Sequence, residues 1–268
     1  MYAIQIGEAD GLAAFRDAVR RLLAAGIEPA AIAWTEHEET LFAERLPPQE
    51  PASAASTTLV PRAFLALADH VACHREVRRW SLLYLALWRI ARGERGLAEV
   101  VSDPLTHRLH RMAAAVKHDQ HRMTAFLRFR RVEDQFGECF IAWYQPQHHI
   151  LRRTAAFFVD RFASMRFSIL TPALTLHWDG ASQSFCSGLT RQDAPSDDAV
   201  EDDWRRYYSA TFNPTRVNPR LMASQMPRRF WRDLPEASAI QDLLSGAAAR
   251  TDAMVADKVP RGAAQEPP

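Results

Sequence analysis

The hydrophobic period of the chain changes near residue 138, and this change constrains the fold more than any single motif. Between residues 62 and 131 apolar side chains recur every three or four positions, the spacing of one helix face. From "ECFIAWYQ" (138–145) onward the apolar runs are short and bounded by turn residues, as strands are. A chain that segregates its helices from its strands belongs to the α+β class. The expectation is a mostly helical α+β fold with a short central antiparallel or mixed sheet.

The N-terminus adds a small β-α-β element. "YAIQI" (2–6) reads as a strand, and "DGLAAFRDAVRRLLAAG" follows as an amphipathic helix. Leu12, Phe15, Val19, Leu22 and Leu23 share one face, Gly26 suits the C-cap, and "IAW" (32–34) returns as a second strand. Residues 1–45 form a possible small lobe, and the Pro/Ala/Ser/Thr-rich stretch 46–61 an exposed connector. Helices are expected near 62–75, 76–92 and 104–131. Asp103 is the N-cap of the last, Pro104 takes its first position, and Leu105, Leu109, Met112, Val116, Met123 and Leu127 form its apolar stripe.

Beyond 138 the expected order is strand, helix ("HHILRRTAAFFVDRFAS"), then the strands "RFSILTP" and "ALTLHW". The Asp179-Gly180 pair turns the chain into "SQSFCSG". Helical segments are expected near 199–211 and 236–249. Residues 1–250 read as one domain and 251–268 as a disordered tail.

Positive charge is placed unevenly in a chain of net charge +1. From Trp204 to Arg232 there are seven arginines, six interleaved aromatic residues and no acid. Arginine among rings is the chemistry of phosphate contact and base stacking. The bland alternative is pairing with Asp193, Asp197, Asp198, Glu201, Asp202 and Asp203, which would leave a neutral knot around core aromatics. The helix from Pro104 offers a second cationic surface. His110, Arg111, Lys117, His118, His121, Arg122 and Arg128 lie opposite its apolar stripe, interrupted mainly by Asp119. The alternatives are an anionic partner or a solvated, internally paired face.

Candidate chemistry is sparse. Histidines occur in pairs at 70/74, 107/110, 118/121 and 148/149, but no HExxH pattern accompanies them and no metal is expected. Cys139 and Cys186 lie in apolar strand-like runs and are expected to be buried. No phosphate-cradling glycine loop, dinucleotide fingerprint or GxSxG elbow is present, and no cofactor is expected. No apolar run approaches the length of a membrane span and no basic-then-apolar leader opens the chain. A cytoplasmic protein without membrane contact is the expectation.

The runs "WRRYYSATFNPTRVNPRLMASQMPRRFWRDLPEA" (204–237), "HRMTAFLRFR" (121–130), "WYQPQHHILRRTAAFFVDRFASMRFSI" (143–169) and "HWDG" (177–180) carry a resemblance. The chain resembles, from "YAIQI" to about residue 250, a bacterial domain-of-unknown-function family grouped with DNA-metabolism and DNA-repair proteins. The resemblance implies a genomic neighbour, a radical-SAM protein assigned to DNA modification or repair. It also implies frequent fusion ahead of a UdgX-type uracil-DNA glycosylase domain, whose motifs are absent here. It implies a DNA-repair context and not a reaction.

Three readings follow. The first is an accessory protein that binds single-stranded or damaged DNA through His121, Arg122, Arg128, Arg152, Arg153, Arg216, Arg220, Arg228 and Arg229. The second is a lesion-processing enzyme using His121, Glu138 or His149. The third is a protein-interaction scaffold without DNA contact.

Overall fold

The computed structural model describes residues 2–7, 11–35, 59–135, 137–194 and 225–234, with isolated positions at 222, 237, 240, 243 and 246. The fold is α+β, with a two-stranded parallel sheet and a five-stranded mixed sheet. The chain divides into two compact units. One comprises Met1–His121 and Pro146–Arg153, the other Arg122–Gln145 and Thr154–Pro268.

In the first unit, β1 (Tyr2–Gln5) pairs in parallel with β2 (Ile32–Thr35). Parallel strands need a crossover, and α1 (Gly11–Ala24) supplies it. Gly26 ends α1 at φ 65°. Its N–H donates to Leu23 O at 3.1 Å and that of Ile27 to Leu22 O at 3.0 Å, the paired closure of a Schellman motif. Phe15, Trp34, Trp80 and Tyr84 make the core, with Phe15 stacked on Trp80 at 5.0 Å. The buried Tyr84 hydroxyl donates to Ile27 O at 2.6 Å, so its burial leaves no stranded donor. Helices α2 (Arg62–Val71), α3 (Arg79–Ala91) and the first part of α4 (Pro104–Phe126) complete this unit. Asp103 caps α4 as expected, with Oδ1 accepting from Leu105 N and Thr106 N at 2.9 and 3.0 Å.

The second unit is built on strands in chain order, β3 (Arg130–Asp134), β4 (Gly137–Trp143), β5 (Phe167–Leu170), β6 (Leu174–Trp178) and β7 (Gln183–Ser187). Neighbours are antiparallel except β4 and β5. That parallel step is bridged by α5 (Leu151–Arg161). One sheet face buries Ala142, Phe167, Ile169 and Leu176. Phe129 packs at 5.2 Å against both Phe167 of this face and Phe162, and edge-on to Phe158 of α5.

Two details depart from expectation. Helix α4 ends at Phe126, five residues short of 131, because Arg130–Asp134 pair with Gly137–Ile141 as a hairpin. Arg128 is therefore in the loop beyond the helix, where its Nη1 donates to Ala125 O at 2.8 Å and Leu127 O at 3.2 Å. Asp179 takes the first corner of the β6–β7 turn: its Oδ1 accepts from Ala181 N and Ser182 N, both at 2.8 Å. The expected helices near 199–211 and 236–249 and the tail lie outside the described residues, apart from isolated positions of the second helix. Most of the connector 46–61 lies outside them too. Among the described residues no helix is long and apolar enough to cross a membrane.

Candidate nucleic-acid interface

The histidines of the first unit meet across the chain. His74 lies beyond the end of α2, and its ring meets that of His148 at a tilt of 33°, with centroids 4.4 Å apart. The N–H of Glu76 donates to Nδ1 of His74 at 3.2 Å, and the N–H of Arg75 to Nδ1 of His148 at 3.3 Å. Each neutral ring must then carry its proton on Nε2. Burial, aided by the charges of His74, Arg75 and His149, pushes His148 down to about 4. Burial also lowers His74, against the opposing pull of Glu76. Both rings are neutral at pH 7.

This has a stability consequence. An unfolded histidine binds a proton below about pH 6.5, whereas folded His148 does so only near 4. The unfolded state therefore binds more protons in that window, and stability falls as pH drops through it. Thermal melts should show a steeper loss between pH 6.5 and 4 for the wild type than for His148→Asn, whose carbonyl oxygen can still accept from Arg75. Parallel pH profiles would refute the assignment.

The loop carrying His148 is held from below. Asp119 was expected on the basic face of α4, but it is buried, 1 % exposed. Its Oδ2 accepts from Gln147 N at 2.7 Å and His148 N at 2.9 Å. Nearby, Arg153 is ion-paired to Asp69, and its Nη2 lies 3.3 Å from His70 Nε2. His70 Nδ1 is 3.0 Å from Ala66 O, which can only accept; the ring proton is on Nδ1, and Nε2 receives the Arg153 hydrogen bond. Cys73 is half-buried, and burial pushes its thiol above the usual range. Neutral imidazoles and a paired arginine make a loop anchor. Among the described residues no three side chains are grouped to hold a metal ion.

The second unit gathers different groups. Strand alternation and register place Arg130 of β3, Ile141 and Trp143 of β4, Ser168 of β5, His177 of β6 and Cys186 of β7 on the sheet face opposite Phe167 and Ile169. At the β3–β4 end of that face lies a small recess open to solvent, lined by Arg128, Arg130, Arg191, Trp143, Ile141 and Asp233 among others. Arg191 Nε donates to Asp233 Oδ1 at 2.9 Å. Among the described residues the lining holds three guanidiniums and one carboxylate, beside a half-buried indole. The enclosed room of the recess is about 10 Å³, that of a single water, so an anion or a ring would lie against this lining rather than inside it.

The other expected contact residues are distributed. His121 is exposed on α4 with Arg111, Lys117 and His118, while Arg122 is half-buried. Glu138 is exposed on β4, 3.3 Å from Arg131. His149 is half-buried, and its N–H donates to Cys73 O at 2.9 Å. Arg152 is exposed on α5, and Arg153 is committed to Asp69. Arg228 and Arg229 are exposed, over the rings of Trp231 (5.9 Å) and Phe230 (4.6 Å). Phe230 itself is core, stacked on Tyr144 at 5.5 Å and near Phe126 at 5.6 Å, so this ring is not a base-stacking platform. Arg216 and Arg220 lie outside the described residues, as do the acids from Asp197 to Asp203. Asp193 is described, and its carboxylate accepts from Thr190 N and Oγ1, both at 2.7 Å.

Arg130, Arg191 and Trp143 were not singled out from sequence. A Trp on β4 and the arginine that opens β3 become neighbours only when strand register is known.

A family model described as a domain of unknown function, DUF4130, matches residues 77–236, leaving the first 76 residues outside the match. No curated protein matches the chain. No solved structure matches it.

Proposed function

The chain belongs to this family of unknown function, and we propose that it is a cytoplasmic DNA-repair accessory protein. It binds single-stranded or damaged DNA and works with a UdgX-type uracil-DNA glycosylase or a radical-SAM repair protein. The observation that carries this reading is the recess formed by Arg128, Arg130 and Arg191 around Trp143. Guanidinium groups match phosphate oxygens in a two-pronged geometry that a lysine cannot reproduce. An indole beside them offers a stacking face to a base, whatever its identity. In the first unit, the exposed Arg111 and Lys117 of α4 offer a separate cationic surface, with His118 and His121 on the same helix.

The test is fluorescence anisotropy with single-stranded, duplex and uracil-containing oligonucleotides at two salt concentrations. Binding should weaken steeply with salt, and the slope counts the phosphates neutralised. Arg128→Glu with Arg130→Glu should weaken binding by more than ~10-fold and lower the salt slope. Unchanged affinity in a double variant that melts like the wild type overturns the recess as the site. No binding at low salt overturns DNA contact altogether and leaves the scaffold reading.

A further inference from the structure

The far end of the same sheet face carries a three-residue arrangement that DNA binding does not use. His177 of β6 stands between Ser168 of β5 and Cys186 of β7. Its Nδ1 is 2.7 Å from Ser168 Oγ and its Nε2 3.3 Å from Cys186 Sγ. The register explains why they meet. Ser168 is directly opposite His177, while Cys186 is opposite Thr175, one diagonal step from His177. A diagonal neighbour of that kind is within reach of a long side chain. Cys186 was expected to be buried in an apolar strand, but among the described residues β7 is the last strand of the sheet, and Cys186 is exposed.

We propose that Cys186 is a nucleophilic thiol, with His177 as its base and Ser168 as the positioning residue, and that it is a site of oxidation by hydroperoxides. Nucleophile, base and orienting group within hydrogen-bond reach are the arrangement that activates a thiol. When Nδ1–H donates to Ser168 Oγ, the Nε2 lone pair faces Sγ. After proton transfer Nε2–H donates back to the thiolate, so both forms keep both contacts. The position selects the electrophile. An exposed cysteine on an edge strand admits a small diffusible reagent and gives little enclosure to a larger substrate.

The step balances. The Sγ proton passes to Nε2, and a sulfur lone pair forms an S–O bond with one peroxide oxygen. The O–O bond breaks, and the leaving hydroxide takes the proton from Nε2 and departs as water. Thiol and hydrogen peroxide become sulfenic acid and water.

The experiment treats the full chain with hydrogen peroxide, traps sulfenic acid with dimedone and maps the adduct by peptide mass spectrometry. Cys73 and Cys139 in the same molecule are internal controls. Cys186 should be labelled first, by at least ~10-fold in rate, and His177→Asn should remove most of that advantage without changing labelling at Cys139. Ser168→Ala should slow Cys186, and Ser168→Thr, which keeps the hydroxyl, should restore it. Iodoacetamide, a second small electrophile, should rank the three thiols in the same order and respond equally to His177→Asn. Variants are compared only where their circular-dichroism melts match the wild type. If Ser168→Ala and His177→Asn both fail to fold, the wild-type order of the three thiols decides. Labelling of Cys186 no faster than Cys139, or a rate indifferent to His177→Asn in a folded variant, overturns the proposal.

Discussion

Gly188→Ala is expected to destabilise the protein by at least about 3 kcal/mol, the upper end of overpacking costs. Gly188 follows β7, and its neighbour Leu189 donates to Thr171 O at 3.0 Å. A Cβ at 188 would overlap the Pro172 carbonyl and lie 2.7 Å from the Ala173 carbonyl carbon. Both obstacles are backbone, so no side chain can rotate away. The turn they belong to is held by Thr171, whose Oγ1 donates to Leu174 O at 2.6 Å. Relief would have to separate β7 from the turn between β5 and β6. Gly180 is an instructive control: its φ is 98° but nothing lies within 4 Å of an added Cβ. Gly180→Ala should cost only about 1–2 kcal/mol of backbone strain. Urea denaturation of the two variants separates lack of space from lack of conformational freedom. A Gly188→Ala midpoint equal to that of the wild type would mean the turn is not seated where described.

Asp119→Ala is expected to cost about 3 kcal/mol and to loosen the loop before α5. The buried carboxylate takes two backbone N–H groups, from Gln147 and His148. Hydrogen bonds to a charged acceptor are worth about 1.5–3 kcal/mol each, and alanine leaves both donors without it. Asp119→Asn retains a carbonyl oxygen and should lose less. Hydrogen exchange reports the effect locally, through faster exchange at Gln147 and His148 in Asp119→Ala. Protection equal to the wild type at both amides would refute the role.

Features whose causes are local in the chain were legible in the sequence. The Gly26 closure of α1 and the Asp103 cap of α4 use partners within five residues, so residue type and spacing suffice. A helical wheel puts Asp119 on the basic face of α4 because its partners are 28 and 29 residues away in the chain. Helical spacing pairs histidines within one helix, whereas the rings in contact are those of His74 and His148. Arg128 was placed on a helix because the apolar stripe continues to Leu127, but pairing of β3 with β4 ends the helix sooner. The apolar run around Cys186 suggests burial, but strand identity does not tell an edge from a centre, and among the described residues β7 is the last strand. The recess itself, drawn from β3, β4 and two later turns, exists only at the level of register.

The single parallel step in the five-stranded sheet sets an order of assembly. On one side β3 and β4 can zip as a hairpin, and on the other β5, β6 and β7 can zip as a meander. Both closures are short-range and fast. Joining β4 to β5 closes across α5, the longest sequence separation between paired strands of the sheet. Ser168, His177 and Cys186 all belong to the β5–β7 meander, whereas the recess joins Arg130 and Trp143 of the hairpin to Arg191 and Asp233 from beyond β7, so only the recess waits for that seam to close.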